Sequence, residues 1–156
     1  MAAKTEVKPF TPTQERLFTL VTKPFSRMNT WLYRLSGGRI GGRWTHGEPI
    51  MLLTYTGRKS GERRTTPLVF LRDGAALVIV ASKGGTSKNP LWFLNLQANP
   101  ECEVEIGREK RRMRARVATP EECRGYWTRL IDLNPDFVTY RARTTRDIPI
   151  VVLTPA

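Results

Sequence analysis

Apolar residues recur every third or fourth position along the first part of the chain. Leu17, Val21, Phe25, Met28, Leu32 and Leu35 fall on one stripe of a helix. Thr11-Pro12-Thr13-Gln14 supplies its start: Thr11 caps, Pro12 suits the first helical position, and Gln14 completes a capping box. The helix is expected to reach about Lys23, kink at Pro24, resume to Leu35 and stop at Gly37-Gly38. From Ile50 the period changes. Ile50–Thr56 and residues 63–72 read as antiparallel strands joined by Gly57-Arg58-Lys59-Ser60-Gly61, and Asp73-Gly74 turns the chain into a strand over 76–81. Asn89-Pro90 opens a helix to about Ala98, with Asn89 as its cap.

Glu101–Ile106 and residues 111–117 form the next predicted hairpin. With a four-residue connection, Glu105 faces Arg112, Glu103 faces Arg114 and Glu101 faces Arg116, while Cys102, Val104 and Ile106 join Met113, Ala115 and Val117 on the other face. That ladder gives three arginines of an apparent nucleic-acid arm partners within the sheet. Thr119-Pro120-Glu121-Glu122 repeats the capping pattern for a helix to about Leu133, Asn134-Pro135 begins a shorter one to about Tyr140, and 148–153 is a last strand. Adjacent antiparallel strands interrupted by helices predict an α+β domain, a small barrel that avoids open sheet edges. The chain divides into an N-terminal amphipathic helical segment, 1–36, and a barrel, 37–156, within a single domain.

Charge changes the picture. The 156 residues carry 26 Lys and Arg against 14 Asp and Glu, a net +12, a surface that attracts anions. Residues 1–50 hold eight basic and three acidic side chains, 51–100 seven and two, and 101–156 eleven and nine, so the excess sits in the first two-thirds. On an ideal helix Arg16, Lys23, Arg27 and Arg34 also cluster, which offers a basic amphipathic segment to an anionic membrane surface. No apolar run reaches the roughly 18–20 residues of a membrane span, and Met1–Lys8 lacks a signal-peptide core, so a cytoplasmic location is expected.

Candidate hydrolytic or metal chemistry is sparse. One histidine, His46, and two cysteines, Cys102 and Cys123, suit structural roles, and no metal site is expected. There is no Walker sequence and no G-x-G-x-x-G fingerprint; Gly37–Gly42 follows a helix rather than a strand and reads as a plain flexible connection. A reactive group brought by a cofactor fits such a chain best. Two basic segments remain. Arg58, Lys59, Arg63 and Arg64 crowd one hairpin connection, and Lys83 and Lys88 flank a Gly-Gly loop before a helix, where backbone N–H groups can meet an anion.

These segments resemble the deazaflavin-dependent nitroreductase family. The resemblance is carried by Leu53-Thr54-Tyr55-Thr56-Gly57-Arg58-Lys59-Ser60-Gly61, by Pro67-Leu68-Val69-Phe70-Leu71-Arg72-Asp73-Gly74, and by the run from Ala81 to Leu96 that contains Ser82-Lys83-Gly84-Gly85 and Asn89-Pro90-Leu91-Trp92. Met28-Asn29-Thr30-Trp31 and Arg146-Asp147-Ile148-Pro149-Ile150 extend it over roughly 25–152. The resemblance implies a split β-barrel that carries the 5-deazaflavin coenzyme F420 and passes its hydride to a quinone, enone or nitroaromatic acceptor. The coenzyme's phosphate and acidic oligoglutamate tail suit the basic cluster.

On this resemblance Arg58, Lys59 and Arg64 hold the tail and phosphate side, and Lys83 and Gly84 bound the groove. Thr65, Pro67, Leu91, Trp92 and Asn95 line the deazaflavin. Ser82 stands beside the hydride-transfer centre, where its hydroxyl can donate to a developing oxyanion, and Tyr140 keeps an aromatic hydroxyl on the acceptor side. The acceptor pocket comprises Val69, Asn134, Phe137 and Tyr140; at Val69, Asn134 and Phe137 nitroreducing relatives carry tyrosines. Small-molecule acceptors and a peripheral anionic membrane are the expected partners, with no nucleic acid, and the oligomeric state is not legible. A flavin-mononucleotide oxidoreductase of the same barrel type and a non-catalytic polyanion-binding module are the alternatives.

Overall fold

In the computed structural model, which describes residues 6–156, the capping box of Thr11 and Gln14 opens a continuous helix, α1 (Pro12–Ser36). Met1–Thr5, within the leader considered above, lie outside the described residues. Gly37, at φ 65°, ends α1 and donates its N–H to the Tyr33 carbonyl region of the last turn, as a left-handed cap requires. Seven strands follow: β1 (Ile50–Thr56), β2 (Arg63–Val69), β3 (Leu71–Asp73), β4 (Ala76–Val80), β5 (Glu101–Ile106), β6 (Glu109–Val117) and β7 (Ile150–Pro155). Three further helices interrupt them: α2 (Leu91–Ala98), α3 (Pro120–Leu133), whose Thr119–Glu122 capping box matches the sequence, and α4 (Asp136–Arg143).

All strands pair antiparallel in one sheet of order β2-β1-β5-β6-β7-β4-β3. β2 and β3, expected as one strand over 63–72, are its two edges, because the chain bends at Phe70 and crosses from one edge to the other. The sheet therefore curls on itself and comes back against its own start where β2 meets β4. This is the α+β split barrel expected from the sequence. Its seam, between β2 and β4, is where the curled sheet stays open.

Inside lies the main core of Met51, Leu53, Tyr55, Leu77, Ile79, Val104 and Leu153, capped by Trp92, Phe93 and Leu96 of α2. A second core under α3 and α4 gathers Val78, Val80, Leu130, Phe137, Ile148 and Ile150. The opposite face of β1 carries Ile50 and Leu52, covered by Tyr33 of α1, whose hydroxyl donates to the Ile50 carbonyl at 3.1 Å and accepts from the Gly107 N–H at 2.8 Å.

Several sequence expectations are corrected. The β5–β6 register pairs Glu101 with Arg114, Glu103 with Arg112 and Glu105 with Lys110, two residues from the expected ladder. The cause is a tight turn at Gly107-Arg108, where Gly107 takes φ 62°, instead of a four-residue connection. A slip of two preserves both faces, so Cys102 still meets Met113. Arg116 pairs with Glu122 at 2.8 Å rather than with Glu101. Asn89 does not cap α2; Pro90 occupies the cap position and Asn89 accepts from Arg146 instead. The connection after α1 is hydrogen-bonded into place by Ser36 to Ile40, Asn29 to Gly41 and Ile50 to Gly42, and is no free tether.

The sequence leaves open what covers the apolar stripe of α1. Its apolar stripe does not pack on the barrel: Leu17, Val21, Phe25, Met28 and Leu35 are exposed together with Trp31 and Leu20, the last 70% exposed. The face turned inward carries Thr19, Thr22, Ser26, Asn29 and Thr30, whose threonine hydroxyls donate to carbonyls of their own helix. Arg34, expected to cluster with Arg16, Lys23 and Arg27, is engaged instead by Glu105, to which its Nε and Nη2 donate. Among the described residues no helix is long and apolar enough to cross a membrane.

Candidate active site at the barrel seam

Two walls flank the seam. β2 forms one, as an edge strand with one side unpaired, which is where a proline such as Pro67 is tolerated. Its side chains alternate. Thr65, Pro67 and Val69 stand opposite Thr54, Leu52 and Ile50 and face α1, whereas Arg64 and Leu68 share the face of Tyr55 and Met51. The Thr65 hydroxyl bonds that of Thr54 at 2.8 Å and accepts from Arg34. Thr65 and Pro67, expected at the ring, thus share one face of the edge strand, whereas Arg64, expected at the tail and phosphate, lies on the other.

The other wall is the segment from Ala81 to Pro90, which follows β4. Lys83 to Gly85 form a single 3-10 turn in which Lys83 adopts φ 45°, a left-handed conformation rare for a residue with a side chain. The surroundings hold it there. Arg146 donates to the carbonyls of Ala81, Ser82 and Thr86 and to Oδ1 of Asn89, three of these bonds at 2.8 Å. Arg143 donates to the Gly84 carbonyl at 2.7 Å while its guanidinium lies 4.1 Å from the Phe10 ring centroid. Gly85 is required, since a Cβ there would run into the Tyr140 backbone of α4. From above, Phe18 of α1 covers Gly84, and Glu15 accepts from both the N–H and the hydroxyl of Ser87.

Two properties of this wall bear on chemistry. Ser82 is 9% exposed, and its hydroxyl makes no hydrogen bond to the described residues, although its carbonyl is fully engaged. A nearly enclosed hydroxyl without a partner is available to a ligand. Burial pulls the Lys83 ammonium below its ordinary pKa, with the Lys23, Lys88 and Arg146 charges adding to that fall and Glu15 opposing it. Burial likewise lowers Arg146. This accumulation of half-buried positive charge is relieved by a bound anion.

At the far end of β2 the Gly57–Gly61 connection is hooked to α2. Oδ1 of Asn95 accepts from the Arg58 backbone N–H at 3.0 Å and from its guanidinium at 3.2 Å. Arg58 and Lys59 on this anchored turn, and Arg64 at the start of β2, are exposed. Asn95 and Trp92 share a buried face of α2, while Leu91 is 48% exposed at its start. Asn95 therefore supports the basic turn from beneath, and Leu91 is the α2 residue open to a ligand.

On the acceptor side, Asn134 and Phe137 are buried: Asn134 accepts from the Asp136 N–H, and Phe137 packs edge-on against Trp127 and Tyr140. Val69 and Tyr140 retain partial exposure, and burial raises the Tyr140 phenol. Burial also pushes the Cys102 thiol up to about 12, an inert core group as expected. Arg146, which organises the whole loop, was legible in the sequence only as part of the family resemblance. Nothing in its spacing marks it.

A curled split-barrel sheet with a cation-rich, glycine-bearing loop at its seam defines a flavin- or deazaflavin-type oxidoreductase. The chain belongs to the F420H(2)-dependent quinone reductase family, whose model matches residues 25–155. It is 40% identical over 131 residues to an F420H(2)-dependent quinone reductase of Mycobacterium tuberculosis strain ATCC 25618 / H37Rv, covering 82% of this chain and 88% of that protein. Among solved structures it resembles an F420-H2 dependent reductase at 36% identity and a TM-score of 0.63, covering 67% of this chain and 93% of that one. A second similar structure, a domain-swapped dimer, is 31% identical with a TM-score of 0.65 over 86% of this chain and 97% of that one. The chain is accordingly an oxidoreductase with coenzyme F420 as its cofactor. The donor set fits that group: exposed cations at an anchored turn, a cationic second wall, and the unpartnered Ser82 hydroxyl on that wall.

Proposed function

We propose that this chain reduces quinones and enones, and less efficiently bulky nitroaromatics, with hydride from reduced F420. When bound, the reduced deazaflavin supplies the hydride. Arg58, Lys59 and Arg64 would hold the anionic tail and phosphate, with Asn95 fixing the turn that presents them. Thr65 and Pro67 on the edge strand, Leu91 of α2, backed by the buried Trp92, and Lys83 and Gly84 on the opposite wall would bound the ring site.

The unpartnered hydroxyl of Ser82 is the observation that carries the reading. It sits on a loop clamped by Arg146, so a donor is held ready for negative charge developing on the acceptor oxygen. Tyr140 offers a second hydroxyl on the acceptor side. Val69, Asn134 and Phe137 carry no hydroxyl, and an acceptor pocket poor in hydroxyls favours a flat apolar quinone over a bulky polar nitroimidazole. Steady-state rates with one quinone, one enone and one nitroimidazole test this order. A nitroimidazole that is the best of the three contradicts it.

The exposed apolar face of α1 supports a second element of the reading: peripheral contact with an anionic membrane at the inner face of the cell, where quinones reside. Leu17, Leu20, Val21, Phe25, Met28, Trp31 and Leu35 form an apolar band, and Arg16, Lys23 and Arg27 are exposed beside it. Such a helix lies in a membrane interface with apolar residues inserted and cations at the headgroups.

A further inference from the structure

Thr54 and Thr65 stand opposite each other on β1 and β2, on the side of the sheet turned toward α1, with their hydroxyl oxygens 2.8 Å apart. Thr54 is 6% exposed, and its hydroxyl has no other partner among the described residues. Thr65 keeps partial exposure and has a second partner, since Nη2 of Arg34 donates to its oxygen at 3.3 Å. Arg34 comes from the last turn of α1 and is held in its turn by the buried Glu105 carboxylate, 2.7 Å from the same Nη2. Arg34, Thr54 and Thr65 line a groove of about 650 Å³ that also takes in Arg63, Arg108 and Lys110.

The protons of this group can be counted. A hydroxyl has one proton to give and two lone pairs to receive. Were Thr65 to donate to Thr54, the Thr54 proton would lack an acceptor in a nearly closed place, the costly case of a buried hydrogen bond left unmade. With Thr54 donating instead, both lone pairs of Thr65 are filled, one by Thr54 and one by the Arg34 guanidinium. The Thr65 proton is then left for whatever fills the groove. Accepting from a cation and from a second hydroxyl also polarises the Thr65 O–H into a stronger donor.

We propose that Thr65 is a hydrogen-bond donor to a ring carbonyl of bound F420, and that Arg34 and Thr54 are the positioning residues that leave its proton free for that bond. The proposal rests on the reading of β2 as a wall of the ring site. Thr65 shares its face of β2 with Pro67, so the donor stands in the row of side chains expected along the ring. A carbonyl oxygen has lone pairs and no proton, which matches a hydroxyl whose own lone pairs are already filled. Arg34 and Thr54 act on the ring through Thr65. One side chain thereby joins the end of α1 to the wall of the cofactor site.

Equilibrium titration with oxidised F420, and the infrared carbonyl stretches of the bound coenzyme, test this without turnover. Thr65→Val keeps the shape and removes the donor. It should weaken F420 binding about two- to tenfold, the worth of one hydrogen bond, and move a ring carbonyl stretch to higher wavenumber. Thr65→Ser should restore both. Arg34→Met with Glu105→Leu removes the cation without leaving a buried charge unpaired. That pair, and separately Thr54→Val, should move the same stretch in the same direction by less, and not at all in the Thr65→Val background.

An unshifted carbonyl stretch in Thr65→Val, whatever its affinity, overturns the proposal and leaves the seam as the coenzyme site. With Thr65→Val shifted, an unchanged stretch in Thr54→Val or in the Arg34 and Glu105 pair overturns the positioning role of the residue removed. A wild-type protein that binds no F420 overturns the reading of the seam together with the proposal. Should the orphaned Thr54 hydroxyl keep Thr65→Val from folding, Thr54→Val with Thr65→Val removes both hydroxyls and should show the same loss and the same shift; an unshifted stretch there overturns the proposal as well.

Discussion

Arg146 Nη2 donates to the carbonyl oxygen of Ser82 at 2.8 Å, so the residue that presents the free hydroxyl is held through its backbone by a guanidinium from the other end of the chain. The same side chain ties down Ala81, Thr86 and Asn89. An ammonium cannot reproduce this fork. Arg146→Lys should therefore lower stability by about 1–3 kcal/mol, the range for leaving buried acceptors unpaired, and weaken F420 binding. Chemical denaturation and a coenzyme titration check both; a variant with wild-type values in each contradicts the clamp.

The hook between Asn95 and the Arg58 backbone makes a second prediction. Asn95→Leu preserves volume but orphans the Arg58 N–H, so about 1–3 kcal/mol of stability should be lost. Asn95→Asp keeps the accepting oxygen and should retain most of it. Coenzyme affinity should fall more in Asn95→Leu than in Asn95→Asp, as measured by equilibrium titration.

Acid should release the N-terminal half of α1. The Ser87 N–H above all, then its hydroxyl and the nearby Lys83 and Lys88, hold the Glu15 carboxyl below its ordinary pKa against the opposing effect of burial. A depressed folded-state pKa means stabilisation that is present above the unfolded value, near 4.5, and lost as pH falls through the lower folded value. Hydrogen exchange of α1 amides should thus rise below about pH 4.5 in the wild type. In Glu15→Gln it should already be raised at neutral pH, with little further change on acidification.

The membrane reading predicts that Leu20→Glu with Phe25→Glu abolishes co-sedimentation with anionic vesicles. Burying each such side chain is worth about 1.5–3 kcal/mol, so the pair should weaken binding by at least roughly tenfold. Binding of the wild type should also weaken with added salt, through screening of Arg16, Lys23 and Arg27. Equal vesicle binding by wild type and double variant contradicts this contact.

Much of the fold was legible where local chemistry decides it. The Thr11 and Thr119 capping boxes mark both helix starts, and the period-two alternation of β5 and β6 assigns each residue to its face. What escaped depended on tertiary context. No glycine or proline announces the bend at Phe70 that divides β2 from β3. The stripe on α1 reveals a face without saying whether the barrel or something else covers it, and the polar face proved to be the inner one. At the candidate site, basic residues and glycines were visible as such. The hydrogen bonds of Arg146, the support given by Asn95 and the reach of Arg34 to Thr65 were not, because each joins segments distant in sequence.

The central claim is that the seam binds F420 through its anionic groups and uses it for quinone reduction. Its most direct test is the absorbance of reduced F420 mixed with a quinone and catalytic protein, alongside equilibrium titrations with F420, flavin mononucleotide and a nonspecific oligonucleotide. Enzyme-dependent oxidation of reduced F420 is expected, with F420 bound in preference to the other two and both affinity and salt dependence reduced in a protein with Arg58 and Lys59 neutralised. Flavin mononucleotide or the oligonucleotide binding more tightly, with reduced F420 left unoxidised, would contradict it.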